Sequence, residues 1–437
     1  KCWFTERKNN MIESTIKFEL PENILTEAKK KYGFFKKGVL AFSGGLDTSF
    51  CISLLKGGGI CGELVTVTVD TGGFSSDEIK TIEEKSKALG ANKHYFIDGK
   101  NEVFQAVQYI IKGNILRGGN YPQSVAIERL ATAKKIAEVV KSEGADAVIH
   151  GSTGAGNDQL RFDLAFMALL PQVNILAPVR DLNLTRNQET EYLKSKGVSV
   201  PEKTTKYSIN LGMWGNSVGG AETQDPWAEI PSGVFPKSNS PDTAPDKSEY
   251  LVVSFEKGVP VSINSETMKP VDLIQQVTEI GNKHGIGRDV VLTTSSVGLK
   301  ARIGIEVPAA HILIAAHKHL EGLTLTWEQI MIKDIVAGFY REYIHKGMLF
   351  DPVVKDIEAL IDSSQKYVTG EVKLKLYKGN IITIGCKSPY TLKVDSAGAY
   401  GEQTSWSGEE AKGFAKILGL QGTIYHQVHT TGGEYDK

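Results

Sequence analysis

A chain of 437 residues is longer than one hydrophobic core usually organises and points to two domains, or three. Its composition, 41% hydrophobic and 23% charged, is that of an ordinary globular protein, and 50 basic against 51 acidic residues argue against a nucleic-acid binder, which is more often basic overall. Four cysteines (Cys2, Cys51, Cys61, Cys386) form no Cys-x-x-Cys pair, no run reaches the length of a membrane span, and no signal-peptide core is present, so a reducing cytoplasm is expected.

Residues 1–10 show no evident pattern and read as an extension ahead of Met11, the expected start. A helix is predicted over 21–32, with Pro21 near its start and Gly33 at its end. Gly38-Val-Leu-Ala-Phe42 reads as a buried strand and 48–56 as a helix, with Phe50, Leu54 and Leu55 on one face. Between them runs Ser43-Gly-Gly-Leu-Asp-Thr-Ser49. Glycines there bring backbone N–H groups close to a ligand, and the helix N-terminus adds unpaired donors. Ser43, Thr48 and Ser49 add hydroxyls. That is chemistry for a phosphate or pyrophosphate, although Asp47 as a plain N-cap in a glycine turn is the simpler alternative.

Strand and helix then alternate: strands over 63–69, 93–97 and 145–150, and helices over 76–89, 102–111 and 124–142. This predicts a parallel α/β sheet covered by helices on both faces, with the loops after Phe42, Val69 and His150 on one edge. The third of these loops, Gly151-Ser-Thr-Gly-Ala-Gly-Asn-Asp-Gln-Leu-Arg161, packs Thr153, Asn157, Asp158, Gln159 and Arg161 behind three glycines. A solvated turn rarely needs that density of donors, acceptors and charges.

The pattern changes near Pro201, and 223–247 reads as irregular. A hairpin over 249–263, a helix over 273–284 and short strands over 290–294 and 303–306 follow. Helices over 309–320 and 327–345 and a second hairpin over 371–386 complete an α+β half; 421–437 looks like a polar tail. His311, His317 and His319 suggest a surface helix rather than a metal site. Trp214 and Trp227 could each stack on a ligand, with packing against a sheet edge the stronger expectation for Trp227.

The first motif matches the pyrophosphate-binding loop of the ATP pyrophosphatase group, and it lacks the Gly-Lys-Ser/Thr of a Walker A loop. Together with Gly156-Asn-Asp-Gln-Leu-Arg-Phe162, Tyr207-Ser-Ile-Asn-Leu-Gly-Met-Trp-Gly-Asn-Ser217 and His284-Gly-Ile-Gly-Arg288, it resembles the argininosuccinate synthase family from about residue 38 to 418. The resemblance implies an ATP-binding domain over 11–200 and a synthetase and multimerisation domain over 201–437, with a homotetramer as the family precedent. It implies an ATP-dependent carbon–nitrogen ligase that condenses citrulline with aspartate through citrullyl-AMP, with Mg²⁺ held mainly through phosphates and no protein metal site. Carried over by position, Ala41, Phe42, Ser43, Gly44, Gly45, Leu46, Asp47, Thr48, Ser49, Val69 and Gly151 would hold ATP. Thr153, Asn157 and Asp158 would contact aspartate. Tyr121, Asn157, Arg161, Ser208 and Ser217 would face citrulline, and Asp158 is the candidate for helping deprotonate the attacking amine.

Departures from the family pattern fall on the citrulline side. The family's Leu-Gly-Thr-Ser/Ala after Tyr-Pro is Gln123-Ser124-Val125-Ala126 here. The family's citrulline-binding Glu and Tyr align with Thr293 and Ile305. Either another acid such as Glu306 takes over, or the substrate is an α-N-acylated citrulline with no ammonium to neutralise. Rival readings are a tRNA-adenylating thiolation enzyme, which usually needs reactive cysteines and a basic face, and a nucleotide sensor, which leaves the 151–161 cluster unexplained.

Overall fold

The computed structural model describes residues 21–200, 206–398, 404–430 and 432; the expected extension over 1–10 and the pattern change at Pro201 lie outside them. Five parallel strands, β1 (Phe35–Ala41), β2 (Cys61–Asp70), β3 (Lys93–Asp98), β4 (Ala147–Ile149) and β5 (Asn174–Leu176), form one sheet in the order β3-β2-β1-β4-β5. Alternate residues of β1 serve opposite faces. Val39 joins Val65 and Val148 under α4 (Lys100–Lys112), α5 (Ser124–Glu143) and α6 (Asp158–Leu169). Leu40 joins Phe50, Leu54, Ile149 and Tyr192 under α2 (Leu46–Leu55) and α8 (Arg186–Ser195). Each such side chain, fully withdrawn from water, stabilises the fold by about 1.5–3 kcal/mol. The remaining helices of this half are α1 (Pro21–Tyr32), α3 (Ser76–Ala88), which starts in a Ser75–Glu78 capping box, and the short α7 (Pro178–Asp181). Strand order reverses between β1 and β4, and at such a switch point ligands collect beyond the strands' C-terminal ends.

The second half holds two antiparallel sheets. One is ordered β11-β12-β7-β6, from β6 (Ser208–Asn210), β7 (Asn216–Gly219), β11 (Arg288–Thr294) and β12 (Lys300–Glu306). The other is ordered β10-β9-β8-β13-β14, from β8 (Glu249–Glu256), β9 (Val259–Ile263), β10 (Glu266–Thr267), β13 (Gly370–Tyr377) and β14 (Asn380–Lys387). Helices α9 (Pro270–Lys283), α10 (Pro308–Thr324), α11 (Trp327–Lys346) and α12 (Pro352–Gln365) pack around them. The expected surface helix bearing three histidines is instead buried: α10 reads apolar on nearly every side, and His317 is fully covered, 2.8 Å from both Asn114 Oδ1 and Gln365 Oε1. The expected polar tail begins as helix: α13 (Gly408–Leu418) and α14 (Leu420–Thr430) form an arm with no buried residue, exposing Phe414, Ile417, Leu418, Ile424 and Tyr425.

A continuous apolar cluster runs from the parallel sheet into the second half. Across it, Lys333 of α11 is wholly buried; its Nζ donates to Glu321 at 2.9 Å and to the Lys112 carbonyl of α4 at 3.3 Å. Glu321 also accepts from Gln365 at 2.7 Å and from Asn114. A charge removed from water is tolerable only with this degree of pairing.

Candidate active site

The turn after β1 is held from behind and open in front. Phe42 N donates to Val67 O at 2.8 Å, and Thr68 Oγ1 donates to Phe42 O at 2.6 Å, fixing the strand end. Gly44 sits at φ +75°, a conformation that side-chain-bearing residues rarely adopt, and Lys85 Nζ anchors its carbonyl at 2.5 Å. Gly45 N-caps α2 without a side-chain cap, so Asp47 is in the first turn rather than at the cap, and the helix's leading N–H groups have no side-chain partner. Ser43 remains exposed with Gly45. Of the hydroxyls, Ser49 turns inward to the Gly45 carbonyl at 2.6 Å, while Ser43 and Thr48 lie 3.3 Å apart at the mouth. Ala41 and Leu46 bracket the turn, half-buried. Val69 is 7% exposed at the end of β2 on the same edge.

Beneath the loop, Asp47 Oδ1 and both oxygens of Glu189 are buried with no donor from the described residues. Burial, reinforced by the Asp47 charge, pushes the Glu189 carboxyl up to about 8, so it keeps its proton and can share it with Asp47.

The loop after β4 meets the first one directly. A Cβ on Gly151 would lie 3.2 Å from Asp47 C and Thr48 N, so the two turns pack against each other at a point where a side chain would have to push them slightly apart. Gln159 Nε2 ties the loop to Gly154 O at 2.8 Å, Thr153 faces solvent, and Asn157 caps α6. Asp158 accepts from Arg129 Nε at 2.9 Å and Arg161 Nη1 at 2.8 Å. Burial raises its carboxyl's pKa, but the two guanidinium charges outweigh burial and hold it below the ordinary value. Such a carboxylate suits an ammonium ligand and makes a poor proton sink.

Arg129 extends the network to the second half: its Nη2 donates to Asn210 Oδ1 at 2.8 Å, and Asn210 reaches Ser217 Oγ at 3.3 Å. Asn210 pairs with Ser217 and Ser208 with Gly219, so Ser208, Asn210 and Ser217 share a sheet face. Asn157 Oδ1 accepts from Ser296 N at 2.7 Å, bringing the β11–β12 turn to the same cleft. Tyr121 is 4% exposed, and its hydroxyl accepts from Val125 N at 3.3 Å. These contacts join the first loop, Gly151, Asn157, Asp158, Arg161 and Ser217, whereas Thr153 and Ser208 are exposed and Ser49 faces inward. Trp227, expected to pack, is 96% exposed, whereas Trp214 is the buried one, donating to Pro122 O at 3.1 Å.

Sequence reasoning missed Arg129, Arg117, Glu128, Ser296 and His345, which reach the cleft from segments with no motif of their own. Gln123 Oε1, Ser124 Oγ, Arg117 Nε, Arg161 Nε and His345 Nδ1 are all buried without a hydrogen-bond partner. Interiors seldom leave polar atoms unpaired, and this concentration marks a place where a ligand completes the bonding.

Comparison with known proteins gives this geometry its place. Two family models cover nearly the whole described chain: "Arginosuccinate synthase N-terminal HUP domain" matches residues 37–199 and "Arginosuccinate synthase C-terminal domain" matches 207–425. The chain belongs to the argininosuccinate synthase family. Among similar proteins, the argininosuccinate synthase of Methanocaldococcus jannaschii is 43% identical over 389 residues, 89% of this chain and 97% of the relative. That of Pyrococcus furiosus is 43% identical over 400 residues (90% and 96%), and that of Archaeoglobus fulgidus 43% over 396 (90% and 99%). As a member of the argininosuccinate synthase family the chain is an ATP-dependent carbon–nitrogen ligase of arginine biosynthesis. No helix among the described residues is long and apolar enough to cross a membrane.

Thr293 lies on β11, and Ile305 and Glu306 lie on β12. Glu306 is not a spare acid: it is fully buried and accepts from Ser238 N, Ser238 Oγ, Lys237 N and Asn216 Nδ2, at 2.7, 2.6, 3.1 and 2.9 Å. Ile305, opposite Ser217, is wholly buried and aliphatic. Thr293 accepts from Arg117 Nη1.

Proposed function

We propose that this chain condenses aspartate with citrulline, or an α-N-acylated citrulline, at the expense of ATP, forming argininosuccinate or its N-acyl counterpart, AMP and pyrophosphate. The observation that carries this reading is the contact of the two glycine loops at Gly151 and Thr48, which sets an anion cradle beside the Asp158–Arg129–Arg161 cluster.

In this scheme the residues from Ala41 to Ser49, with Gly151 at their flank and Val69 near the adenine, hold ATP so that its α-phosphate faces the ureido oxygen. That oxygen attacks phosphorus and pyrophosphate leaves, giving citrullyl-AMP. The aspartate amine, oriented by Asp158 with Thr153 and Asn157, then attacks the ureido carbon, and AMP departs with the former ureido oxygen. Tyr121, Asn157, Arg161, Ser208 and Ser217 position the ureido substrate. Most of the rate gain expected of such a site comes from alignment and from fixed donors at developing charge. Asp158, held ionised between two arginines, orients the ammonium; the amine proton leaves to the phosphate side or to solvent. Mg²⁺ carried on the phosphates would supply charge neutralisation there.

Thr293 and Ile305 offer no carboxylate for an α-ammonium, which favours the N-acylated substrate. We also propose a cytoplasmic homotetramer, with residues 11–200 as the ATP-binding domain and 201–437 as the synthetase and multimerisation domain. Support comes from the wholly exposed α13–α14 arm and from Trp327, Ile335 and Phe339, which are 73, 54 and 59% exposed along α11. Light scattering tests the tetramer. Aspartate-dependent pyrophosphate release tests the reaction, and ¹⁸O from the ureido group must appear in AMP; label retained in the product overturns the adenylated intermediate.

A further inference from the structure

One wall of the cleft carries Arg117, Thr293, Glu342 and His345. Arg117, from the turn between α4 and α5, places Nη1 on Thr293 Oγ1. Its side chain is 18% exposed, and its Nε has no hydrogen-bond partner, the Glu342 carboxylate lying 3.5 Å away. Glu342 also accepts from Arg341 Nε at 3.2 Å, so two arginines share one acid. The other acids of this wall are occupied: Glu306 by four donors, and Asp289 by Asn120 Nδ2 at 2.7 Å. His345 brings no compensating negative charge, and burial followed by the charges of Arg117 and Arg161 pushes its imidazole down to about 4.

This wall is continuous with the aspartate side. His345 Nε2 lies 3.0 Å from Thr294 O, Ser296 Oγ donates to His345 O at 3.4 Å, and Ser296 N donates to Asn157 Oδ1 at 2.7 Å. A ureido substrate spanning the cleft thus meets the Arg117 guanidinium on this wall, beside a threonine rather than a carboxylate. Such a field repels an ammonium, and the planar fork of an arginine matches the two oxygens of a carboxylate. Acylation removes the ammonium charge, and a second carboxylate on the acyl group gives the Nε side of Arg117 the partner it lacks.

We propose that Arg117 binds a carboxylate borne on the α-N-acyl group of the ureido substrate, so that the preferred substrate is a citrulline acylated by a dicarboxylic acid. This rests on the ligase reading above and specifies its substrate. The test compares kcat/KM for citrulline, N-acetylcitrulline and N-succinylcitrulline in aspartate-dependent pyrophosphate release. The expected order is N-succinyl above N-acetyl above citrulline, the first step about 10- to 100-fold, as for one charge-assisted hydrogen-bonded pair. Arg117→Met is expected to remove that first step and leave N-acetylcitrulline within about threefold, and Arg117→Lys to restore part of it. Preference for citrulline, equal use of the two acyl compounds, or an equal loss on all three in Arg117→Met overturns the proposal. Should Arg117→Met fail to fold, Thr293→Glu serves: it is expected to weaken N-succinylcitrulline and improve citrulline, and no change in that ratio overturns the idea. Silence with all three substrates would instead overturn the ligase reading.

Discussion

The two sides of the cleft are built differently. The side proposed for ATP is one run of nine residues, 41–49, that offers mostly backbone and is braced by Thr68 and Lys85. The side proposed for the ureido substrate is assembled from side chains of the α4–α5 turn, α5, α6, β6, β7, β11 and α11, with contacts that span 81 residues between Arg129 and Asn210 and 176 between Arg117 and Thr293. A backbone grip depends on a few glycines and tolerates little change. A side-chain pocket can exchange one group for another and alter what it accepts, while the chemistry at phosphorus stays the same.

The largest expected effect sharpens this contrast at its boundary. Asp158→Ala strands Arg129 and Arg161 facing each other, and kcat/KM for aspartate is expected to fall about 100-fold or more, with KM for ATP nearly unchanged. A comparable rise in KM for ATP would show that the two sides are not separable. Gly44→Ala forces φ +75° on a residue with a Cβ, at a cost of about 1–2 kcal/mol. It is expected to raise KM for ATP about tenfold while KM for aspartate holds, and initial-rate kinetics in both substrates check it. Ser217→Ala removes one neutral partner of Asn210 and is expected to raise KM for the ureido substrate only about three- to tenfold.

The smallest effect concerns stability beneath the ATP loop. Glu189 has its pKa raised, so the unfolded chain loses its proton near pH 4.5 while the folded chain keeps it to about 8. The native state therefore loses stability as pH climbs through that window. Glu189→Gln should match the parent at pH 4 and exceed its thermal midpoint by a few degrees at pH 8.5, and an equal difference at both pH values would remove the carboxyl as the cause.

What was legible in the sequence follows the same division. The parallel sheet and its loops could be read because strand, glycine turn and helix are consecutive, as at residues 38–56. Both hairpins of the second half could be read because Lys257-Gly258 and Lys378-Gly379 take positive φ at their turns. The helix over 158–169 was hidden by its polar first turn, and α10 was misplaced on the surface because His317 finds its two partners 203 and 48 residues away. Arg129 carried no signal, since its partner Asn210 is 81 residues on. Only residues 421–437 read as a tail; α14 falls within it because its apolar residues are few and exposed, and α13 goes unread.

Lys333 sets a condition on how the two halves move. The ammonium keeps Glu321 on its own side of the seam, so parting the halves would take from it the α4 carbonyl at 3.3 Å, and from Glu321 the amide of Asn114. Any relative shift of the halves at this seam must therefore find new partners for one buried ammonium and one buried acid together, which couples movement there to a single cluster of side chains.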